Sequence, residues 1–593
     1  MLDCGLVASP ARAISPRGFR GGARNAIPLL IYVALAFLLF QRAWRNPGHS
    51  VVGLGGDPAL FGWFLEWTAF AVAHHHNPFL TTYMNYPAGV NMMWNTTMTL
   101  PGVILSPVTL SAGPVFAYNL LVTLSPAVSG FCAMLAFRRL VGSTLAATAG
   151  GVIYAFSPPI VIQSLGHPQL TLAFFPPLAL LALHELVVRQ RRSPILVGVT
   201  FGVLAAVQVV TGEELLASTA LTAAVGIAVL AITHRHAVRG HVRHALLGLG
   251  VAGLSAAVIA GYPLWLQFFG PQKVHGDIQP HNVLVSDLLS FIVPTGFQAI
   301  APPRFQPIIA SFTGSGVETD GYLGSPLIIL LVVAAWRMWG QPVVRWSVLT
   351  AAAMAVLSLG PRLHVGGHDT GIRLPYIVVD HLPVLGNLLP NRLVLFVDML
   401  SALVVAIMLE RILRAREPLA RLAGVVVVLI ALIPFAPAFP FPSVPTASPD
   451  FFTGAAQQRL RQDEVVLVAP YARYPQSSAP MLWQAEAKMR YRMPEGYFVG
   501  PDPRGKAQWG SLASPLSATM EDIGLFGRTP VVTETLKQSL LMDLHQHHVS
   551  VVVVGPMPQQ ATMVETFTAV LGHAPEQVGG VYIWLAPDRI AGF

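Results

Sequence analysis

"VVGLGGDPALFGWFLEW", residues 51–67, decides how the chain is read. It follows the first apolar run, 26–41, after a short polar interval. A glycine pair, one aspartate and a proline then open a second apolar segment. Pro58 has no amide hydrogen and suits the first turn of a helix. The glycines before it permit tight backbone geometry. Asp57 is therefore expected at the N-cap of a helix over "ALFGWFLEWTAFAVAHHH", a position worth about 1 kcal/mol. A cap and a chemical role are compatible, and both are carried forward.

The rest of the chain supplies the setting. It has 593 residues, of which 53% are hydrophobic and 11% charged. Soluble domains carry about 25% charged residues, so the bilayer is the expected solvent. Eleven apolar runs recur at 26–41, 114–137, 144–163, 170–188, 194–211, 214–232, 245–268, 321–338, 344–360, 391–410 and 421–438. Every second loop is basic. The series is Arg12, Arg17, Arg20 and Arg24, then Arg138 and Arg139, "RQRR" at 189–192, "HRHAVRGHVRH" at 234–244, Arg337 and Arg345, and "ERILRAREPLAR" at 410–421. The alternate loops hold most carboxylates: Asp57, Glu66, Glu213, Glu214, Asp277, Asp287, Glu318, Asp320, Asp369 and Asp380. Such alternation places the basic loops in the cytoplasm. The net charge of +8 is thus a topology signal, and nucleic acid is not an expected partner. "QRAWRNPGHS" after the first run lacks a small-residue cleavage pattern, so that run reads as a retained helix. Cys4 and Cys132 stand far apart, without metal or redox spacing.

The expected fold is a polytopic α-helical membrane protein of about 11 transmembrane helices with a C-terminal extracytoplasmic α/β domain. Residues 1–25 form a cytoplasmic basic tail. Residues 26–440 form the multi-pass domain, with long outer loops at 42–113, 269–320 and 361–390. The first of these contains "LPGVILSPVTL", too short and Pro-interrupted to span, hence interfacial or re-entrant. Residues 446–593 form the α/β domain, after a Pro-rich linker. There "DEVVLVAP", "VSVVVVGP" and "GGVYIWLA" read as strands and "TETLKQSLLMDLHQHH" as a helix. The expected place is the inner (plasma) membrane, N-terminus cytoplasmic.

The arrangement of helices and long outer loops, "GGDP" early in the first loop, and stretches such as "NPFLTTYMNYPAGVNMMWNT" and "LPVLGNLLPNRLVLF" together resemble membrane glycosyltransferases of the GT-C superfamily, in a bacterial branch. The resemblance covers roughly residues 26–440. It implies a donor sugar on a polyprenyl phosphate and an envelope glycan, lipid or protein acceptor on the outer face. It implies Asp57 as general base, with inversion at the anomeric carbon. The leaving phosphate needs positive charge or a metal where charge develops. Outer-side cations are Arg45, Lys273, Arg304, Arg362 and Arg392, and Arg392 stands at the mouth of a helix. The alternative for Arg392 is a snorkelling interfacial anchor. The family often pairs its acids closely, as Asp-x-Asp or Glu-x-Asp. No such pair is read in this sequence, so metal ligands are unassigned and a divalent cation is only a candidate cofactor.

Glu213 and Glu214, in "TGEELL", either bind a cation or acceptor sugar or form a solvated turn that caps the next helix. His167 in "SLGHPQL" is a candidate cavity residue or a plain loop histidine. His74, His75 and His76 lack the spacing of a zinc site and read as an interfacial helix end. Trp63, Trp67, Tyr83, Tyr86 and Trp94 read first as an aromatic belt, second as sugar-stacking rings. Asp398 lies inside the tenth run and must face protein or water. No nucleotide-binding loop or nucleophile elbow is present. Two further functions remain: a transporter or flippase for a lipid-linked glycan, and a non-catalytic envelope assembly protein.

Overall fold

The computed structural model describes residues 20–585, apart from 55, 234–239, 315, 383 and 476, and side chains from residue 25 onward. Cys4, Arg12, Arg17, the side chains of Arg20 and Arg24, and part of the basic stretch 234–244 lie outside the described residues. The chain divides into two compact units. One comprises residues 1–45, 120–261 and 279–443, and the other 46–119, 262–278 and 444–593.

The first unit is a helical bundle. Each of the eleven apolar runs holds a helix. Five helices are long and apolar enough to cross a membrane: Pro114–Phe137, Pro168–Arg189, Glu213–Thr233, Val242–Phe269 and Pro390–Leu413. The other runs hold the shorter apolar helices Asn25–Leu39, Thr144–Ala155, Pro194–Val209, Ser325–Met338, Pro342–Ser358 and Pro418–Leu432. The run at 144–163 breaks after Ala155 and restarts as Pro158–Gln163. The cause is "SPP", because the residue before a proline avoids helical geometry and proline suits a first turn. Peripheral helices present apolar side chains outward, with Val258 75% and Leu419 78% exposed. An aqueous surface would not tolerate that, and the protein is a polytopic helical membrane protein with a C-terminal domain.

The helix Val394–Leu413 is the axis of the bundle, and every residue from Val394 to Ile407 is buried. Helices Pro342–Ser358 and Thr144–Ala155 pack on it. Gly151 allows the Tyr32 ring to close against that layer, since a Cβ there would stand 2.3 Å from the Tyr32 hydroxyl. In the same unit, Asp287 ties two outer segments together. Its carboxylate accepts from the amides of Leu289 at 2.8 Å, Gly366 at 3.0 Å and Gly367 at 2.8 Å. Gly366 and Gly367 form the turn of the hairpin Arg362–Val365/His368–Arg373.

The second unit gathers the first outer loop, a short connecting segment and the tail. Its sheet has the order Glu576–Val578, Val581–Leu585, Val551–Val554, Glu464–Ala469, Tyr491–Arg492. The strand pair Val551–Val554 and Glu464–Ala469 is parallel, while Val581–Leu585 runs antiparallel beside it. The expected tail strands and the helix Glu534–Gln546 are all present. The first outer loop contributes the helices Asp57–Ala73 and Thr99–Ala112. They cross closely at Gly102, whose Cβ would meet Thr68 at 2.9 Å. The Asp57 helix docks on the tail through Trp63, whose indole donates to Gln484 Oε1 at 2.5 Å. Gln484 in turn donates to the carbonyls of Tyr83 and Tyr491.

That docking overturns the aromatic-belt expectation for three residues. Trp63, Trp67 and Tyr83 are buried within the unit. A belt residue needs one end at a water interface, and these rings have none. The histidines after the helix are equally local. His74 stacks on Phe70, and His76 stacks on both Phe70 and Trp67.

Candidate functional site

Two groups of polar side chains stand out, one in each unit. The first surrounds Asp57. The first carbonyl of its helix to accept belongs to Gly56, from the amides of Ala59 at 3.2 Å and Leu60 at 3.4 Å. Gly56 is therefore the N-cap and Asp57 the first helical residue. The expected side-chain cap is thus corrected: the ladder starts one residue earlier, and no side-chain cap bond forms. The segment in front is held by Asn119. Its Oδ1 accepts from Val52 N at 3.0 Å, and its Nδ2 donates to the carbonyls of Pro47 at 3.0 Å and Ser50 at 2.6 Å. Ser478 from the tail donates to the Gly56 carbonyl at 2.5 Å. A Cβ on Gly56 would lie 2.7 Å from that hydroxyl, which explains the glycine before Asp57.

The Asp57 carboxylate accepts a hydrogen bond from the hydroxyl of Tyr497. Burial, reinforced by the Asp57 charge, pushes that phenol up from its usual range. Tyr118 lies within electrostatic reach of Asp57. Its hydroxyl is buried and has no hydrogen-bond partner among the described residues. Tyr497 also belongs to an aromatic group. Its ring stacks on Tyr474 at 5.6 Å between centroids and meets Trp509 at 5.7 Å. Tyr474 is 58% exposed. Arg473 fixes Trp509 through a 3.2 Å bond to its carbonyl and is anchored by Glu521 at 2.8 Å. About two and a half turns further along the Asp57 helix, Glu66 is buried. Burial, only partly opposed by Lys488, pushes its carboxyl up to about 8, so it is neutral at pH 7.

The second group lies in the bundle around Arg392. Its Nη1 meets Glu214 Oε2 at 2.5 Å, and its Nη2 meets Glu318 Oε1 at 2.6 Å. Nε reaches Glu318 Oε2 at 3.2 Å, making the Glu318 pair bidentate. Asn391 donates to the same Oε2 at 2.6 Å. Gln163 donates to Asp320 Oδ2 at 2.9 Å and to Glu318 Oε2 at 3.3 Å. His167 Nδ1 stands 2.6 Å from Gln163 Oε1 and 3.9 Å from Glu318. Burial opposes the charge of Glu318, but Arg392 outweighs it and holds the carboxyl down to about 2. Burial, reinforced by the Glu318 charge, pushes Asp320 up to about 7. Two carboxyls two residues apart thus carry opposite tendencies.

This geometry replaces the snorkelling alternative for Arg392, whose side chain is 13% exposed and committed to two carboxylates. It also replaces the solvated-turn alternative for Glu214. Glu213 and Glu214 form the first turn of their helix, where carboxylates suit the positive end of the dipole. His167 joins the cluster. Arg304 and Lys273 do not: Arg304 is exposed beside the Phe305 ring, and Lys273 is exposed in the segment 262–278. Glu318, Asp320, Gln163 and Asn391 were not among the expected site residues. The first two form a Glu-x-Asp pair that the sequence displays in the second long loop. This corrects the expectation that the chain has no closely spaced acidic pair. Tyr474, Tyr497 and Trp509 carried no signal beyond being aromatic. Among the described residues no three His, Cys, Asp or Glu side chains are arranged to hold a metal ion.

A family model described as "Domain of unknown function (DUF6311)" matches residues 29–385, more than half of the chain. The chain belongs to the DUF6311 family. The matched span includes Asp57, Glu214 and Glu318, and ends before Arg392 and the tail. No curated protein matches the chain. Among solved structures, the archaeal oligosaccharyltransferase AglB from Archaeoglobus fulgidus, in complex with an inhibitory peptide and a dolichol-phosphate, is 14% identical with a TM-score of 0.43, over 94% of this chain and 72% of that one. The apo form of the Archaeoglobus fulgidus oligosaccharyltransferase is 13% identical with a TM-score of 0.46, at the same coverage of 94% and 72%. ArnT from Cupriavidus metallidurans, bound to undecaprenyl phosphate, is 12% identical with a TM-score of 0.47, over 94% of this chain and 97% of that one.

Proposed function

We propose that this DUF6311 protein is a membrane glycosyltransferase of GT-C type. In this reading it moves a sugar from a polyprenyl-phosphate donor to an envelope glycan, lipid or protein acceptor on the outer face of the plasma membrane. The observation that carries the reading is the Asp57 carboxylate beside the Tyr474–Tyr497–Trp509 aromatic group. Aromatic faces suit the C–H faces of a pyranose or furanose ring, and a carboxylate beside them is placed for proton transfer.

In the proposed step Asp57 takes the proton of an acceptor hydroxyl. That oxygen forms the new bond to the anomeric carbon from the face opposite the leaving group. The bond from the anomeric carbon to the phosphate oxygen breaks, configuration inverts, and polyprenyl phosphate departs with the electron pair. Lys273, Arg304 and Arg392 are the proposed cations for the phosphate. Arg392 already serves Glu214 and Glu318, so an anion there must compete with Glu214. Glu213, Glu214 and His167 are the proposed polar contacts for sugar hydroxyls. Eleven crossings with a cytoplasmic N-terminus belong to the same proposal.

The test is release of free polyprenyl phosphate by the reconstituted protein, supplied with a panel of polyprenyl-phosphate sugars and crude envelope acceptors. Wild type should turn over. Asp57→Asn keeps a carbonyl oxygen for Tyr497 but removes the base, and should lose turnover while remaining folded. Equal rates in both proteins would remove Asp57 from the mechanism. Movement of a lipid-linked sugar between leaflets without phosphate release would replace the transferase by a flippase.

A further inference from the structure

The bundle contains an apolar cleft that the proposed reaction does not use. Leu180, Leu183, Ala223, Ile227, Trp346 and Phe396 line it, and it takes in about 830 Å³ of empty space, part of it open to the outside. One end is marked by a change in helix geometry. The helix from Phe175 passes at His184 into a π-helical turn, His184–Arg189. Such turns are rare and recur at functional sites. His184 faces the cleft, and its Nε2 is buried without a hydrogen-bond partner among the described residues.

The same end carries concentrated positive charge. Arg139 lies in the field of Arg192, Arg189 and Arg138, with Glu185 as the opposing carboxylate. Partial desolvation and those like charges hold the Arg139 guanidinium below its usual range. Glu185 is already occupied. Its Oε1 accepts from the amides of Arg191 at 2.8 Å and Arg192 at 3.0 Å, and its Oε2 pairs with Arg189 at 3.3 Å. Arg138 donates to Asn25 at 2.7 Å. The guanidinium groups of Arg139 and Arg192 have no such partner among the described residues. Four arginines therefore share one carboxylate, and Arg139 and Arg189 directly adjoin in the chain the cleft-lining residues Leu140 and Val188.

We propose that the cleft and the arginine cluster form one binding site for an anionic glycerophospholipid, with an acyl chain in the cleft and the phosphate on Arg139 and Arg192. Charge complementarity selects an anion, and the apolar walls select a hydrocarbon chain over a water-soluble phosphate. His184 Nε2 supplies a polar contact where chain meets headgroup. Basic pockets between membrane helices take anionic headgroups for this reason. The inference is independent of the transferase reading.

The experiment is lipid binding by the full-length protein in neutral detergent, followed by native mass spectrometry and thermal shift. The probes are dioleoyl phosphatidylglycerol, dioleoyl phosphatidylcholine and chain-free glycerol phosphate. Wild type should bind phosphatidylglycerol roughly 30-fold more tightly than phosphatidylcholine, the equivalent of two arginine contacts. The double variant Arg139→Gln/Arg192→Gln should lose that preference and keep the weaker phosphatidylcholine binding. Ala223→Phe, which fills the cleft, should weaken both lipids. Equal binding of the two lipids by wild type, an undiminished preference in the double variant, or glycerol phosphate binding as tight as phosphatidylglycerol would each overturn the proposal. Should Ala223→Phe fail to fold, the exposed arginine pair decides the question alone.

Discussion

The polar group around Asp57 and the one around Arg392 are built on opposite principles. Around Arg392, charge meets charge: one guanidinium, two carboxylates, and amides from Gln163 and Asn391, with Glu214 Oε1, Asp320 Oδ1 and Asn391 Oδ1 buried without a hydrogen-bond partner among the described residues. Around Asp57, a half-buried carboxylate accepts from the Tyr497 phenol and has Tyr118 within electrostatic reach, the Tyr118 hydroxyl being without a partner among the described residues. Both arrangements hold buried polar atoms that the described residues do not satisfy. A buried ion pair is weak evidence of function, since its attraction must first offset desolvation. A carboxylate beside a phenol that stacks on an exposed ring is better placed to meet a ligand.

Several substitutions would break or sharpen this contrast. The largest effect is expected at Asp57. Asp57→Asn should lower transfer by about 10²–10⁴-fold, the usual contribution of a positioned base. Its melting temperature should match wild type, because Gly56 and not Asp57 caps the helix. A large loss of stability would give Asp57 a role in holding the fold as well.

Next comes Glu318→Leu. It leaves Arg392 buried with one carboxylate instead of two, and should cost about 3–5 kcal/mol in denaturant unfolding. A change below about 1 kcal/mol would mean that Glu214 alone satisfies the arginine.

The pH dependence separates Glu318 from Asp320. Glu318 is depressed to about 2, so its contribution is present above its unfolded value, 4.5, and is lost as pH falls toward 2. Asp320 is raised to about 7 from 3.8, so its contribution is full below 3.8 and is lost as pH rises through 7. Unfolding of wild type should therefore become easier between those limits, by an amount on the order of a few kcal/mol. Asp320→Asn should reduce that slope, the rest coming from Glu66 and Glu495, which burial also raises to about 8, and an unchanged slope would exclude Asp320 as a source.

At Trp509, replacement by Ala should raise KM for the sugar donor or acceptor about tenfold, with a smaller change in kcat, the signature of lost uniform binding. Tyr118→Phe is expected to have the smallest effect on stability, neutral or slightly favourable within about 1 kcal/mol, because it removes a buried hydroxyl without a partner. A fall in transfer with unchanged stability would show that a bound substrate uses this hydroxyl.

Much of the architecture was legible in advance. Each of the apolar runs holds a helix, because a segment in lipid must be apolar along its whole length. The tail strands were equally plain, since "VVLV" and "VVVV" are buried on both faces. "GGDP" pointed correctly to a helix start, with Pro58 in its first turn. The assigned cap position was off by one residue, because which carbonyl starts a helical ladder depends on backbone angles that several neighbouring residues can adopt.

What the sequence by itself determined is therefore local: which segments are apolar, which turn is tight, which loops carry charge. These follow from hydrophobicity and steric permission, which act over a few residues. The tertiary structure decided which polar groups meet. Arg392 finds Glu214 178 positions away and Glu318 74 positions away. Asp57 in the first outer loop receives its hydrogen bond from Tyr497 in the tail. No periodicity records such pairings, because each is selected only when burial removes water and leaves a charge or hydroxyl to be satisfied by whatever the packed chain brings beside it.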